Sequence, residues 1–280
     1  MPVTILHTPH LSPATLDRIT RLFPGKLEPG DGFYRLHHER PLSREDLERL
    51  RPEFDFDINP VPPDFEPAGV RLLISDMDST LISIECVDEI ADFANLKPQV
   101  AAITAAAMRG ELNFAESLEQ RVALLEGLDE AVLERVYSER LQLNPGAERL
   151  LAGLRERGIR TALVSGGFSF FTDRLKRRLS LDYTLANRLA VQKGKLTGKV
   201  VGDIVGAEAK RRFLLERCEE LGISPRQAIA VGDGANDLKM LDAAGLSVAY
   251  RAKPRVQEQA DIVLDHSGLD AILHLLDMAP

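Results

Sequence analysis

The chain has 280 residues, of which 44% are hydrophobic and 28% are charged, and its formal net charge is −8. This length allows about two domains, the acidic balance argues against nucleic-acid binding, and no apolar run approaches the roughly 18 residues that cross a membrane. The two cysteines and six histidines show no metal-ligand spacing, and the N-terminus resembles no secretory signal, so we expect a reduced, cytoplasmic protein without a histidine-bound metal.

Residues 1–54 alternate short strand-like and helix-like stretches, which predicts a small α+β domain. Ser12 and Ser43 both stand where a helix would begin. The next segment, 55–69, contains four prolines. Because a proline cluster fits neither a central strand nor a helix, this segment is predicted to be a linker.

Residues 70–280 show repeated β–α alternation. Strand-like runs lie at 71–76, 160–165, 227–232, 246–249 and 261–264. This pattern predicts an α/β domain, a Rossmann-like, doubly wound parallel sheet with helices on both faces. An insert at about 84–141, after the first strand, has the pattern of four helices and is predicted to form a helical cap. A glycine-containing stretch, 182–203, suggests a β-hairpin.

Polar groups cluster where three of the predicted strands end. They are Asp76, Asp78, Ser79 and Thr80 after the first strand, Ser165, Gly166 and Gly167 after the second, and Asp233, Asn236 and Asp237 after the third. Lys210 lies between the second and third of these strands, in the first turn of a predicted helix. Because ligands bind beyond the carboxyl ends of parallel strands, we expect these groups to line one site.

Four carboxylates in one site need a cation. Oxygen ligands suit a hard ion, so we predict Mg²⁺ held by Asp76 and Asp233 together with a backbone carbonyl. An ionised carboxylate attacks without a base, which makes Asp76 the candidate nucleophile toward phosphorus, while Mg²⁺ and Lys210 would reduce the repulsion between anions. Asp78 is the candidate general acid and base. Taken singly, each aspartate is more often a helix cap or turn residue; the combination favours the site.

The phosphoryl oxygens would need hydrogen-bond donors. We expect these donors to be the hydroxyls of Thr80 and Ser165 and the backbone N–H groups of Met77 and Gly166. The sequence therefore predicts phosphoryl transfer to an aspartate.

Four motifs, "DMDST", "VSGGF", Lys210 and "GDGANDLKML", resemble in order and spacing those of the haloacid dehalogenase-like (HAD) superfamily of phosphohydrolases. The resemblance covers roughly Val70 to Asp277. Within the superfamily the chain is similar to the phosphoserine phosphatase subfamily, because Ser79 stands where most members carry glycine, and "ESLEQRV" and "VSGGFSFF" match that subfamily. The resemblance implies Mg²⁺-dependent hydrolysis of phosphoserine through an aspartyl-phosphate, as the last step of serine biosynthesis.

The resemblance also implies a role for each matching residue. Asp76 is the nucleophile and Asp78 the acid and base; Asp76, the Asp78 carbonyl and Asp233 hold Mg²⁺; Ser165, Gly166, Lys210 and Asn236 bind phosphate; Ser79, Thr80 and Asp237 support the site. In the cap, Glu85 and Arg121 occupy the positions that read the ammonium and the carboxylate of the substrate. Met108 and Phe114 occupy the positions that close the pocket.

Other interpretations remain open from the residues themselves. Arg121 could pair with Glu116 or Glu119 on an exposed helix, and Glu85 could be a helix N-terminal charge. The substrate could be another small phosphomonoester, such as homoserine phosphate or phosphocholine, and a phosphoacceptor signalling domain is a further alternative. The first 54 residues vaguely resemble ACT-like domains, which prompts the hypotheses of homodimerisation or serine regulation through them.

Overall fold

The computed structural model describes residues 1–277, except for the side chains of Arg44 and Met108. The N-terminal module is a four-stranded antiparallel sheet in the order β2-β3-β1-β4, with two helices. Its elements are β1 (Val3–His7), α1 (Pro13–Leu22), β2 (Gly25–Pro29), β3 (Tyr34–His38), α2 (Arg44–Leu50) and β4 (Asp57–Pro60). Both helices begin where the sequence indicates, because the hydroxyls of Ser12 and Ser43 accept backbone N–H groups as N-caps.

Strand β5 (Leu72–Ser75) leads into the cap, whose four helices agree with the predicted pattern. They are α3 (Cys86–Phe93), α4 (Lys97–Met108), α5 (Phe114–Ala123) and α6 (Ala131–Glu139). The chain enters and leaves the cap side by side, joined by an antiparallel bridge between Ile82 and Leu143. The buried Asn144 amide donates to the carbonyls of Thr80, at 2.8 Å, and Ile82, at 3.1 Å. These contacts attach the cap at its base to the end of β5.

The remaining elements complete the core. They are α7 (Ala147–Glu156), β6 (Arg160–Phe168), α8 (Ser169–Leu179), β7 (Tyr183–Gln192), β8 (Lys195–Val201), α9 (Ala207–Leu221), β9 (Ala228–Gly232), α10 (Leu238–Ala243), β10 (Leu246–Tyr250), α11 (Pro254–Gln257), β11 (Ile262–Leu264) and α12 (Ile272–Leu276). The sheet order is β11-β10-β9-β5-β6-β7-β8, and only the β7–β8 pair, the predicted hairpin, is antiparallel.

Strand β5 shows why the core strands are continuous apolar runs in the sequence. Leu72 and Ile74 pack into one hydrophobic cluster, whereas Leu73 packs into another. A parallel strand with helices on both faces must be apolar on both. The same arrangement places β5 between β6 and β9, so the polar residues after these three strands meet at one edge of the sheet.

The segment 55–69, predicted to be a linker, contains strand β4, and β2 lies in a stretch without a strand signal. Both are edge strands of the N-terminal sheet. An edge strand tolerates proline and polar residues because half of its backbone groups need no partner strand. The division into a 1–54 domain, a linker and a 70–280 core therefore stays a prediction, although β4 belongs by its pairing to the N-terminal sheet.

Two buried side chains of β4 attach the N-terminal module to the core. Asn59 bridges the edge strand β11, donating to the Val263 carbonyl at 2.8 Å and accepting the Val263 N–H at 2.9 Å. The Asp57 carboxylate accepts the backbone N–H groups of Asp265, His266 and Ser267 at 2.8–3.2 Å. These bonds satisfy backbone groups that the sheet edge leaves unpaired.

Cys86 and Cys218 are both buried and free. Among residues 1–277, no helix combines the length and the apolar character needed to span a bilayer.

Replacing Asp57 by alanine should lower the free energy of unfolding by about 2–4 kcal/mol, because three backbone N–H groups lose the buried, charged acceptor that they share. Chemical denaturation followed by circular dichroism measures this change. Asp55→Ala is the matched control, since Asp55 is exposed on the same segment, and we expect a change within about 0.5 kcal/mol. Equal stability of the two variants would show that the Asp57 contacts do not hold the module in place.

Candidate active site

The Lys210 ammonium lies at the centre of the site between two aspartates. It is 2.8 Å from Asp76 Oδ1 and 2.7 Å from Asp237 Oδ1, and its side chain is fully buried. Burial alone would lower the pKa of this ammonium, but the carboxylates of Asp237 and Asp76 raise it. Lys210 is therefore charged and fixes the orientation of both carboxylates.

Three carboxylates crowd together beside this lysine. One oxygen from each of Asp76, Asp233 and Asp237 lies within 4.8 Å of the others. Burial, followed by the charge of Asp237, raises the pKa of Asp76 well above its usual range and that of Asp233 to about 6. Lys210 alone does not balance the charge of three carboxylates, and the donors are all oxygen, so the set fits a hard divalent cation. The sequence predicted Asp237 only as a support; the structure brings its carboxylate into the same cluster.

Asp78 is held by two donors. The Cys86 N–H donates to Asp78 Oδ1 at 2.9 Å, and the Ser165 hydroxyl donates to Oδ2 at 3.3 Å. Burial raises the pKa of Asp78 against the opposing effect of these bonds. A carboxyl group with a raised pKa that faces the pocket is suited to give up a proton.

Met77 and Thr80 each donate a hydrogen bond to a carboxylate of the site. The Met77 N–H donates to Asp76 Oδ1 at 2.7 Å, and the Thr80 hydroxyl donates to Asp233 Oδ1 at 3.2 Å. Both donors therefore help to orient carboxylates, and their expected contacts with phosphoryl oxygens stay a prediction. A carboxylate withdrawn from water needs hydrogen-bond donors of this kind.

A pocket of about 210 Å³ opens in front of these groups, between core and cap. Its wall contains most of the predicted site residues, namely Asp76, Asp78, Glu85, Phe114, Arg121, Ser165, Gly166, Asp233 and Asn236. Lys210, Thr80 and Ser79 do not line the pocket but bond to residues that do, and Asp237 pairs with Lys210. The Met108 side chain lies outside the described part of the structure. This volume is below the range of about 300–1,000 Å³ that holds drug-sized ligands, so the pocket suits a small molecule.

The ring of Phe114, on cap helix α5, covers the glycine loop of the core. A Cβ atom on Gly166 would lie 2.7 Å from this ring, so only glycine allows the cap to approach so closely here. Cap and core therefore form one pocket.

Two cap residues bring opposite charges into the pocket. The Arg121 Nε–H donates to the Ser117 carbonyl at 3.2 Å, and among the described residues no carboxylate lies within 4.0 Å of its guanidinium. The alternative pairings with Glu116 or Glu119 are absent from that part of the chain. Glu85 as a whole residue is exposed, but its carboxylate faces the pocket, where loss of solvation and then the charge of Asp78 raise its pKa to about 7.

Sequence reasoning missed several residues of the pocket wall. Lys253 follows the end of β10, and Val87, Leu118 and Phe168 supply apolar surface. The rule that ligands bind beyond the carboxyl ends of parallel strands was applied to three strands, and applying it to β10 as well would have found Lys253. The apolar residues carry no signal in the sequence, because they look like ordinary core residues.

Comparison with known proteins agrees with this geometry. Residues 70–245 match the family model of the haloacid dehalogenase-like hydrolases. The model covers well over half of the chain, which therefore belongs to this family.

Among the relatives within the family, many are named phosphoserine phosphatase. That of Polaromonas sp. is 56% identical over 224 residues, which cover 78% of this chain and 95% of the relative. A HAD family hydrolase from Salmonella enterica serovar Typhi superposes with a TM-score of 0.90 at 32% identity, covering 100% of this chain and 99% of that one. A structure titled as a phospho-aspartyl intermediate analogue of phosphoserine phosphatase superposes with a TM-score of 0.70 at 42% identity, covering 74% and 98%.

A divalent cation should raise the melting temperature of the wild-type chain, because an ion that binds only the folded state stabilises it, by about 2.7 kcal/mol at 100 times its dissociation constant. Asp233→Asn should remove most of this shift. Without the ion, the variant should have a melting temperature no lower than that of the wild type, because it lacks one of the crowded negative charges. Asp242→Asn, at an exposed position, should keep the full shift. Differential scanning fluorimetry with and without chelator measures all three; the same shift in both variants would place the ion elsewhere.

Proposed function

We propose that the chain hydrolyses O-phospho-L-serine to L-serine and phosphate, as the final step of serine biosynthesis. The observation that carries this proposal is the charge arrangement of the small pocket: carboxylates and a lysine on the core wall, Glu85 and Arg121 on the cap wall. Phosphoserine carries a phosphate, an ammonium and a carboxylate. An anion at Glu85 and a cation at Arg121 complement the last two, and the relatives' names agree with this substrate.

Arg121 is suited to the carboxylate because its guanidinium presents parallel N–H donors that bind a carboxylate bidentately. Its Nε–H is used by its own helix, but the terminal nitrogens have no acidic partner among the described residues. Burial raises the pKa of the half-buried Asp88, and the charge of Arg121 opposes this rise without forming an ion pair. A substrate carboxylate would supply the missing partner.

In the first chemical step, a carboxylate oxygen of Asp76 attacks phosphorus, and the bond from phosphorus to the serine oxygen breaks. Asp78 gives its proton to the departing oxygen, which yields L-serine and an aspartyl-phosphate. Asp78 then takes a proton from water as the water oxygen attacks phosphorus, which releases phosphate and restores Asp76. This route is supported by the similar solved structure that is described as a phospho-aspartyl intermediate analogue of phosphoserine phosphatase.

The donors around the phosphate follow from the geometry. Ser165 is buried and its hydroxyl reaches Asp78, while Gly166 and Asn236 line the pocket. Lys210 contacts Asp76, and its positive charge would offset the negative charge of an approaching phosphate.

Mg²⁺ is the cation we propose, held by Asp76, Asp233 and the Asp78 carbonyl, with Asp237 in support. It would neutralise charge on the phosphate and on the nucleophile. The fit of Mg²⁺ to this site rests on two properties: the candidate ligand atoms are all oxygen, and Lys210 alone does not neutralise the carboxylates that carry them.

A homodimer or serine regulation through the N-terminal module stays a prediction, as does a cytoplasmic location. Sedimentation of the whole chain and serine inhibition of phosphate release would test the first two. A monomer indifferent to serine would contradict both.

Asp76→Asn should lower phosphate release from phosphoserine by at least about a thousandfold, because asparagine keeps the size of the side chain but removes the nucleophilic anion. Phosphate release in the presence of Mg²⁺ measures it, with Asp242→Asn as the control. Mass spectrometry of the trapped wild-type enzyme should find the phosphoryl group on residue 76. Near wild-type activity in the variant, or a label elsewhere, would refute the mechanism.

Arg121→Ala should raise KM for phosphoserine by roughly thirtyfold or more, because the substrate carboxylate loses a charged partner. Turnover of an unsubstituted aryl phosphate, which lacks that carboxylate, should change far less. Arg109→Ala is the matched control, because Arg109 is an exposed cap arginine paired with Glu111. If Arg121→Ala affects both substrates equally, Arg121 does not read the carboxylate.

A further inference from the structure

Ser79 adopts a backbone conformation that seldom suits serine. Its φ of 57° and ψ of −4° lie in the left-handed region, inside the turn that follows the nucleophile. Glycine enters this region freely, whereas other residues do so at a cost, and such residues concentrate at functional sites. The serine side chain at this position therefore calls for a physical explanation.

The side chain makes one specific contact. The Ser79 hydroxyl donates to Glu85 Oε1 at 2.7 Å, and the Ser79 N–H donates to the Ile84 carbonyl at 3.2 Å. Next to them, Cys86 donates its N–H to Asp78. Residues 78–79 and 84–86 thus close the turn into a ring, with Asp78 and Glu85 both facing the pocket.

Glu85 needs such a donor. It precedes helix α3, but its side chain makes no capping hydrogen bond to that helix. Asp78 and Asp233 both repel its charge, whereas the Ser79 hydroxyl stabilises it. Because the hydroxyl occupies Oε1, Oε2 remains for a ligand.

We propose that Ser79 is a positioning residue for ammonium recognition: its hydroxyl holds the Glu85 carboxylate in the pocket, and the left-handed turn places the hydroxyl where it can do so. This inference rests on the proposed function, since it assigns the ammonium of phosphoserine to Glu85. It explains why the turn keeps serine where glycine would satisfy the backbone alone.

Two variants separate the hydroxyl from the backbone. Ser79→Gly removes the hydroxyl and relieves the left-handed strain, whereas Ser79→Ala removes the hydroxyl and keeps the strain. Ser83→Ala is the matched control, because Ser83 is an exposed serine of the same segment whose hydroxyl reaches only the Gln142 carbonyl, at 3.4 Å.

The substrates are phosphoserine and 3-phosphooxypropanoate, which is phosphoserine without its amino group. The ratio of kcat/KM for the first to that for the second measures ammonium recognition. We expect both Ser79 variants to lower this ratio by roughly tenfold, the effect of one lost hydrogen bond to a charged group, mainly through KM for phosphoserine. Ser83→Ala should keep the wild-type ratio. In a Glu85→Ala background, Ser79→Gly should no longer change it.

The possible failures are distinguishable. If the wild-type enzyme releases no phosphate from phosphoserine, the proposed function is wrong. If it hydrolyses phosphoserine without preferring it to the deamino substrate, the assignment of the ammonium to Glu85 is wrong. If it does prefer phosphoserine, but both Ser79 variants keep the wild-type ratio, the positioning role is wrong. A ratio that falls in Ser79→Ala and not in Ser79→Gly would assign the effect to the backbone and would also overturn the role of the hydroxyl.

Discussion

The buried ion pairs of Lys210 with Asp76 and Asp237 are the interaction on which the site depends. A fully buried ammonium is tolerable only when it is paired, and here it is paired on both sides. Since Lys210 lies in the first turn of α9, Asp76 follows β5 and Asp237 precedes α10, the contacts join three parts of the core. The same pairing that holds these elements together orients Asp76, the proposed nucleophile, so structure and proposed chemistry share one constraint.

The core and the cap contribute different groups to the pocket. The core contributes the carboxylates and the lysine that we propose handle a phosphoryl group, while the cap contributes Glu85 and Arg121, which we propose distinguish one small phosphoester from another. The two parts meet through the Phe114 ring against Gly166. Because the turn from Asp78 to Cys86 belongs to both parts, a single ring of hydrogen bonds holds Asp78, the proposed proton donor, and Glu85, the proposed partner of the ammonium.

The N-terminal module is part of the same packed molecule. Ile5 and Phe33 pack into the main hydrophobic core, while Leu6 and Ile19 belong to the module's own cluster. Strand β4 covers the β11 edge with side-chain amide and carboxylate groups. Edge strands attract unwanted pairing when they are left open, and this cover gives the module a structural reason to be present whether or not it regulates the enzyme.

The sequence by itself determined the parallel sheet, the four-helix cap and the grouping of Asp76, Asp78, Ser165, Lys210 and Asp233. Local periodicity and the rule that parallel strands share a carboxyl edge are sufficient for this, because they need no knowledge of distant contacts. Only the tertiary structure decided the partners of Met77 and Thr80, the place of Lys253 in the pocket wall, and the strand at 57–60. These features depend on groups brought together from far apart in the chain, such as Asp57 with Ser267, and no local pattern encodes such pairs.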